Sequence, residues 1–326
     1  MSSVDGRAST APAVTASLGR SAGIVARHAD DKAHAARLGL RLSHVRGATP
    51  LFFQRYVPSL AVVLAGRKRS IVGADDDVWG SDRFLVTPVD LPVVAGVVEN
   101  DAAGSFLSAT WEFDPVLVRE VAVALPHHSH PSTESLERLG TWTPGLADAF
   151  ARLVGLLDEP ETIPILGPAI AREVILRLLQ TEQAPRILAA TNGEGRSVVV
   201  QAVAYLTDKM SEPWTMPMLA AALHTSESTL FGRFKQATSM TPMQYLKRLR
   251  LGEARHRMVI LGESAAQAAR TVGYRSASHF FTRLPRRVRR AARHRCHPLS
   301  YPPPTDGPGA YGQRRRPADK SLTQTS

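Results

Sequence analysis

The fold of the C-terminal part is decided by the stretch from Thr215 to Met258, which reads TMPMLAAALHTSESTLFGRFKQATSMTPMQYLKRLRLGEARHRM. Its apolar positions from Met218 to Leu223 predict a short helix, which ends at His224 and Thr225. Ser226 is a good N-cap for the next helix, because its hydroxyl can accept a hydrogen bond from an unpaired backbone amide. A short helix, a tight turn and a capped second helix together predict a helix-turn-helix unit.

The second helix of this unit, predicted from Glu227 to Thr238, has two different faces. Leu230 and Phe234 are four positions apart and share the face that turns towards the first helix. The opposite face is polar, and it is the side that a helix-turn-helix protein places in the major groove of DNA. We expect this face to present Ser228, Thr229, Gly232, Lys235 and Gln236.

The unit is repeated further along the chain. Ala268 to Gly273 is similar to the first helix and its turn, and Ala268 follows Leu219 by 49 positions. Ser276 is the expected N-cap of another helix, whose outer face carries Ser278, His279 and Thr282. A helix from Tyr245 to Met258 joins the two units, and at about 1.5 Å per residue it can hold the two outer faces about one turn of DNA apart.

The charge is unevenly distributed along the chain. The net charge is +11, but residues 201–326 carry 21 Lys and Arg against 7 Asp and Glu, whereas residues 1–200 carry 19 against 22. A basic region on a slightly acidic body is typical of a polyanion-binding protein, although a solvated basic tail gives the same balance. We expect phosphate contacts from Lys235, Lys247, Arg248, Arg250 and the C-terminal arginines.

Residues 51–113 predict a β-rich region, because short apolar and β-branched runs alternate there with turn residues, as in an antiparallel sandwich or barrel. The predicted strands include Leu60–Leu64, Ser70–Val72, Phe84–Val86, Val93–Val98 and Phe106–Trp111. The basic run Arg67–Arg69 is interpreted as a solvated strand edge. Helices are predicted to follow at Pro115–Leu125, Leu146–Leu157, Pro168–Leu179 and Val198–Leu206.

These motifs resemble the AraC-type transcription regulators. In the C-terminal part the resemblance rests on SESTLFGRFK from Ser226, TSMTPMQYLKRLRLGEAR from Thr238 and AARTVGYRSASHF from Ala268. In the N-terminal part it rests on RYVPSLAVVLAGRKRS from Arg55, LVTPVDLPVVAGVVE from Leu85, LSATWEFDP from Leu107 and PILGPAIAREVILRLL from Pro164. The resemblance implies a cupin-like barrel that senses a small molecule, followed by helices that dimerise and by a DNA-binding domain.

Three residues of the first unit depart from the family pattern. Members of the family usually carry glycine where this chain has His224, in the turn, and Ser239, after the second helix. They often carry a long polar or basic side chain where this chain has Gly232, which offers nothing to a base edge. We therefore expect the first unit to bind DNA less strongly or less specifically than is usual in the family.

The C-terminus departs further. The resemblance stops near Phe281, and Pro285 ends the predicted helix because proline cannot continue the backbone hydrogen bonding. Eleven arginines and one acidic residue, Asp306, lie between Arg275 and Arg316. We hypothesise a reading-frame shift near Phe281, which resequencing would test; a native, disordered basic tail is the alternative.

The sequence therefore predicts an α+β chain in four parts. Residues 1–49 form an N-terminal extension with short helices, residues 50–190 a cupin-like antiparallel β-barrel with connecting and dimerisation helices, residues 197–284 an all-α domain with two helix-turn-helix units, and residues 285–326 a disordered Arg- and Pro-rich tail. Neither a secretory signal nor an apolar run of about 18 residues occurs, and the single Cys296 fits a reducing compartment, so we expect a cytoplasmic protein without a membrane segment.

Other functions find less support in the residues. His127, His128 and His130 could bind a transition metal, but among Pro and Ser they are more typical of a solvated loop. No histidine or cysteine lies between His44 and His127, which argues against a metal in the barrel. Nucleophile-elbow and phosphate-loop motifs are absent as well. We expect no catalytic residue, no metal and no cofactor.

Four aromatic residues of the β-rich region have two interpretations. Trp79, Phe106, Trp111 and Phe113 either line a ligand pocket or fill the core, and core packing is the commoner role of aromatics at this spacing. No effector-binding residue is assigned.

Together these patterns predict a sequence-specific DNA-binding transcription regulator rather than an enzyme. The expected partners are double-stranded promoter DNA, a small-molecule effector and a second copy of the chain, with bases read by the outer faces of the two second helices. Two alternatives stay open. One is a degraded regulator that binds nucleic acid non-specifically, and the other is a cupin-like small-molecule binder without a working DNA reader.

Overall fold

The computed structural model of the chain describes residues 10–73, 75–125, 138–191 and 197–274. The strands in these ranges are β1 Leu40–Arg46, β2 Phe52–Tyr56, β3 Ser59–Ala65, β4 Arg67–Val72, β5 Asp75–Trp79, β6 Arg83–Thr87, β7 Leu91–Glu99, β8 Ser105–Glu112 and β9 Leu139–Thr141. The helices are α1 Thr10–His28, α2 Lys32–Arg37, α3 Pro115–Ala124, α4 Pro144–Gly155, α5 Ile163–Leu179, α6 Ala184–Thr191, α7 Val198–Asp208, α8 Met216–Ala222, α9 Glu227–Thr238, α10 Pro242–Val259 and α11 Ala265–Thr271.

The nine described strands form two sheets, which we call the β-domain. One sheet has the strand order β1-β8-β3-β6-β9 and the other β2-β7-β4-β5, and every described pairing is antiparallel. The antiparallel β-fold followed by helices is confirmed. We call α7 to α11 the helical domain.

Both faces of the strand β3 are covered. Leu60 and Val62 belong to a core shared with α1, α4 and α5, whereas Ala61 and Val63 belong to a core shared with β7 and the helical domain. A strand buried on both faces has no polar alternation. The continuous apolar run of β3, from Leu60 to Leu64, is the sequence signal of this position.

The β-domain begins earlier than the predicted boundary at residue 50, because β1 pairs along its whole length with β8. We did not predict β1 as a strand, since its charged and polar residues hide the alternation of Leu40 and Leu42. The preceding helix α1 is also longer than the short helices we predicted. Its end is fixed by Asp158, which accepts hydrogen bonds from Arg27 (2.7 Å) and from Nε2 of His28 (2.8 Å).

The interpretation of Arg67–Arg69 as a strand edge needs correction. The neighbouring strand β5 begins with three aspartates, Asp75 to Asp77, and Arg69 pairs with Asp76 across the sheet at 2.6 Å. The run Arg67–Arg69 is not an edge, because β4 lies between β7 and β5. Opposite charges on neighbouring strands stabilise this strongly charged pair of strands.

The four aromatic residues fill the core. Trp79, Phe106, Trp111 and Phe113 are all buried. Nε1 of Trp79 donates to Ser70, and Nε1 of Trp111 donates to the carbonyl oxygen of a residue before β1, so neither indole leaves a buried donor unpaired. The core interpretation of these residues is the one that the packing supports.

The predicted helices that fall in the described ranges are present, with shifts at their ends, whereas the helix predicted after Ser276 lies outside these ranges. Helix α3 begins at Pro115 as predicted, and the side chain of Asp114 caps it by accepting from the amide of Val116 at 2.8 Å. Helix α5 begins at Ile163, before the predicted start at Pro168, so this proline lies inside the helix. Across the described ranges, we find no helix with both the length and the apolar character that crossing a bilayer requires.

Candidate nucleic-acid interface

Helices α8 and α9 form the first predicted unit, and α9 has the predicted bounds. Thr215 caps α8 by accepting from the amide of Met218 at 3.4 Å. Ser226 caps α9 by accepting from the amide of Thr229 at 3.1 Å. The first backbone amides of a helix have no acceptor within the helix. These hydroxyls supply that acceptor and so mark where each helix begins. The cap at Ser226 therefore marks the end of the turn between the two helices.

The two faces of α9 are those expected from the sequence. Leu230 and Phe234 are completely buried. Their face packs not only against α8 but also against α6 and α7, so the helices that follow the β-domain support α9 directly. The outer face is exposed over all five predicted residues, which are Ser228, Thr229, Gly232, Lys235 and Gln236.

The two positions where the family carries glycine are left-handed in this chain. His224 has φ of 50° and Ser239 has φ of 57°, and they are the non-glycine residues with positive φ in the described ranges. A side chain in this region costs about 1–2 kcal/mol, which glycine avoids. The departure noted in the sequence therefore places strain on both sides of α9, in the turn before it and at its C-cap.

Arg233 and Phe231 are further exposed residues of α9 that our prediction did not include. Arg233 is exposed one turn after Thr229, and this i+4 spacing was the available signal. Phe231 is 42% exposed, and Nζ of Lys235 lies 6.0 Å from the centre of its ring. This cation–π contact orients the lysine along the exposed side of α9.

The predicted phosphate-binding residues of α10 differ in how accessible they are. Lys247 is exposed. Arg250 donates to the carbonyl oxygens of Met210 (2.7 Å) and Glu212 (2.6 Å), and burial lowers its pKa. Arg248 also donates to a carbonyl oxygen of the chain. Both guanidinium groups hold the fold together here and would have to leave these carbonyls to reach a phosphate.

The second unit is described only in its first half. Ala268 of α11 and its C-cap Val272 are buried, as are their counterparts in the first unit, Leu219 of α8 and its C-cap Leu223. Gly273 then turns with φ of 90°, and its backbone lies against the carbonyl of a residue before α8, where no side chain would fit. Outside the described residues lie Ser278, His279, Thr282, Cys296, the histidines at 127, 128 and 130, and the basic tail.

One face of α10 packs on the β-domain. The hydroxyl of Tyr245 donates to the backbone oxygen of Asp90 at 3.0 Å, and Arg255 donates to the backbone oxygen of Leu51 at 3.4 Å. Burial raises the pKa of Tyr245 above its ordinary value and lowers that of Arg255. The joining helix is thus also a contact between the two domains.

This contact needs a residue without a side chain. The ring of Phe53 lies against Gly252 in the space that a Cβ would occupy. The contacts of α10 follow one helical stripe, at successive spacings of three, four and three: Tyr245, Arg248, Gly252 and Arg255. The stripe mixes polar and small residues, so an apolar periodicity did not reveal it.

A cleft of about 440 Å³, which we call the junction cleft, opens where the β-domain, α3, α6 and α7 meet. Its apolar lining includes Val89 and Val203, and the ion pair of Arg55 with Asp90 (3.0 Å) adds charge to its wall. Burial raises the pKa of Asp90, although Arg55 opposes this shift. The volume lies within the usual range of small-molecule sites, about 300–1,000 Å³.

The described residues contain no group of three His, Cys, Asp or Glu side chains placed to hold a metal ion. Among the described residues, the notable polar geometry lies instead on α9, on α10 and around the junction cleft. These features can bind DNA and a small molecule, and they do not assemble a nucleophile with a base.

Comparison with known proteins agrees with this geometry. Residues 38–186 match the family model described as the AraC-type transcriptional regulator N-terminus, and residues 219–294 match a helix-turn-helix domain. The second match continues beyond Phe281, where we expected the resemblance to stop. Together the two matches cover most of the described part of the chain.

Among curated proteins, the HTH-type transcriptional activator RhaS of Salmonella agona is 31% identical over 134 residues, which are 40% of this chain and 47% of RhaS. The chain therefore matches about half the length of this relative. Among solved structures, ToxT from Vibrio cholerae aligns with a TM-score of 0.43 and 11% identity over 75% of this chain and 92% of ToxT. The AraC-like transcriptional activator CuxR aligns with a TM-score of 0.30 and 15% identity, over 69% of this chain and 80% of CuxR.

The chain therefore combines two domains of known families. Residues 38–186 are similar to the N-terminal domain of AraC-type transcriptional regulators, and residues 219–294 are similar to a helix-turn-helix domain.

Proposed function

We propose that this protein reads promoter DNA sequence-specifically, with α9 in the major groove. The observation that carries the proposal is the exposed outer face of α9, whose opposite face is fully buried on three helices. Bases are contacted by Ser228, Thr229 and Gln236, and Gln236 is suited to adenine because its amide can both donate and accept. In the second unit Ser278, His279 and Thr282 have the same role.

Phosphate contacts position the protein without reading the sequence. Lys235 and Lys247 are the accessible residues for this role, and Arg233 is added to those predicted from the sequence. Arg248 and Arg250 join them only if DNA binding releases them from their carbonyl partners. Gly232 leaves room for the backbone of α9 to approach the DNA closely, because no atom lies within 4 Å of the position of its missing Cβ.

Fluorescence anisotropy tests this proposal. The full-length protein is titrated with DNA from upstream of its own gene and with a scrambled duplex, at several salt concentrations. We expect the upstream duplex to bind at least about a thousandfold more tightly. Equal binding of both duplexes, weakening together with salt, would instead support a degraded regulator with only phosphate attraction. No DNA binding at all would support a small-molecule binder.

Variants separate base reading from phosphate binding. Gln236→Ala should reduce the preference for the upstream duplex by about 1–3 kcal/mol. Lys247→Ala should weaken the binding of both duplexes alike. It should also lower the slope of log affinity against log salt concentration by about 1. Arg37→Ala, in the exposed part of α2, is the matched control and should change neither. A preference that survives in Gln236→Ala would remove this residue from the reading face.

We further propose that a small-molecule effector binds in the junction cleft. The cleft touches α7 of the helical domain, and the backbone of its Asp90 is bonded to Tyr245 of α10, so a ligand there contacts both domains. Ala204→Trp should fill the cleft and reduce binding of the apolar fluorescent probe anilinonaphthalene sulfonate. Ala36→Trp, on exposed α2, should not. Equal probe binding by both variants would place the effector elsewhere.

A second copy of the chain is the remaining proposed partner. Helices α3 and α5 expose large apolar side chains, with Val123 exposed by 87% and Ile165 by 79%. Exposed apolar groups of this kind mark association surfaces. Light scattering should give a dimer for the native protein and a monomer for the Val123→Asp, Ile165→Asp double variant. A native monomer would contradict the proposal.

Function on promoter DNA also implies a cytoplasmic protein.

A further inference from the structure

Arg186 on α6 carries a buried charge with few partners. Its side chain is 4% exposed, and Nη1 donates to Oε1 of Gln183 at 3.2 Å. Nε and Nη2 are both buried and have no hydrogen-bond partner. These two nitrogens form one edge of the planar guanidinium group, the edge that binds both oxygens of a carboxylate or a phosphate. The edge is therefore a complete bidentate donor without its acceptor.

A second buried arginine has a charge that acts on Arg186. Arg138, just before β9, is also 4% exposed, and it pairs with Asp75 (2.9 Å) and Asp77 (2.8 Å) of β5. Its remaining nitrogen, Nη1, is buried and has no partner. Three unpaired guanidinium nitrogens thus belong to two buried side chains, and the described residues supply no acceptor to them.

A third arginine completes the cluster from the helical domain. Arg248 of α10 donates to the carbonyl oxygen of Gly73, in the turn that leads into β5. Burial is the main cause that lowers the pKa of Arg186, to about 9, and also lowers the pKa of Arg248. The charge of Arg138 acts in the same direction on both, and Asp75 opposes it. Three positively charged arginines therefore lie in a region with two carboxylates, those of Asp75 and Asp77.

Buried charges without acceptors are unfavourable, because water no longer compensates them. We propose that Arg138, Arg186 and Arg248 form a binding site for a small oxyanion, a carboxylate or phosphate group that accepts from the unpaired edge of Arg186 and from Nη1 of Arg138. One such group would supply both the missing acceptors and the missing negative charge. The site is separate from the junction cleft, whose lining includes none of these three residues.

The position of this site connects it to DNA binding. Helix α6, which carries Arg186, packs against α9, and Arg248 belongs to α10. An anion held by the three arginines would therefore tie the β-domain to both helices. The binding itself requires no DNA, so its test is independent of the proposed promoter reading.

Isothermal titration calorimetry of the full-length protein tests the site with two probes, sodium phosphate and sodium acetate, at ionic strength matched with sodium chloride. We expect saturable binding of at least one probe. Binding of phosphate but not of acetate would identify the ligand group as a phosphate, and binding of acetate but not of phosphate would identify it as a carboxylate. Arg186→Met should weaken the binding at least tenfold. Arg172→Met, which removes an exposed arginine on α5, should leave it unchanged.

Thermal unfolding gives the second measurement. Without phosphate or acetate, Arg186→Met should unfold at the native temperature or above it, because methionine removes the unpaired buried charge. The probe should raise the unfolding temperature of the native protein but not that of the variant. If Arg186→Met fails to fold, Arg186→Lys retains the charge without the planar edge and should lose the binding. No saturable binding of either probe, or equal binding by the native protein and a folded Arg186 variant, would overturn the proposal.

Discussion

Replacing Gly232 with alanine changes the outer face of α9 by one methyl group. Gly232 lies in the middle of this helix, is exposed, and has no atom within 4 Å of the position of an added Cβ. No contact is lost or crowded by the substitution, so the difference in helix propensity acts alone. Alanine is more favourable than glycine in a helix interior by about 0.8–1.0 kcal/mol. We expect the free energy of unfolding of the helical domain to rise by about this amount.

Urea denaturation followed by far-ultraviolet circular dichroism measures the change. With a slope of about 2 kcal/mol per molar urea, the midpoint should rise by about 0.5 M. Gly252→Ala is the matched control, because the same substitution in α10 meets the ring of Phe53. Overpacking of about 1–3 kcal/mol should offset or exceed its propensity gain. A lower midpoint for Gly232→Ala, or equal rises for both variants, would refute the reasoning.

Two other predictions concern stability. Replacing both His224 and Ser239 with glycine should raise the free energy of unfolding by about 1 kcal/mol in the same urea assay. The relief of left-handed backbone strain exceeds the cost of the added conformational freedom of the unfolded chain. A double variant that is less stable than the native protein would contradict this. Asp158 has a pKa lowered from 3.8, mainly by the hydrogen bond from His28, so its contribution is present above that value and lost as the pH falls through the lowered pKa. Asp158→Asn should therefore be less stable than the native protein near pH 7 and differ less near pH 3. A difference that does not change with pH would exclude the role of this carboxylate.

The helix-turn-helix unit was predictable because its signals are local. The caps Thr215 and Ser226 act within three residues, and Leu230 and Phe234 repeat at the spacing of one turn. The β-rich character was predictable from short apolar runs, of which β3 is the clearest. Such signals need only neighbouring residues, so they locate elements even where the arrangement of the elements is unknown.

Contacts between distant segments could not be predicted in this way. The strand β5 contains three aspartates, and the ion pairs with Arg69 of the strand before it and with the distant Arg138 show why a strand tolerates them. The packing of α10 on the β-domain depends on Gly252 meeting Phe53, about two hundred positions away. The arginine cluster likewise joins distant segments, because Arg138, Arg186 and Arg248 belong to three separate parts of the chain and lie near the aspartates of a fourth, β5. Their partners are set by tertiary packing rather than by spacing along the chain.

Because the stripe of α10 is packed on the β-domain, a rotation of the β-domain would turn the whole helix with it. Its 18 residues give a length of about 27 Å at about 1.5 Å per residue. If the β-domain tilts α10 by about ten degrees around one end, the other end moves by about 5 Å, more than the rise of about 3.4 Å between successive base pairs. A small rotation at the sensor would thus shift the second unit by more than one base step relative to the first.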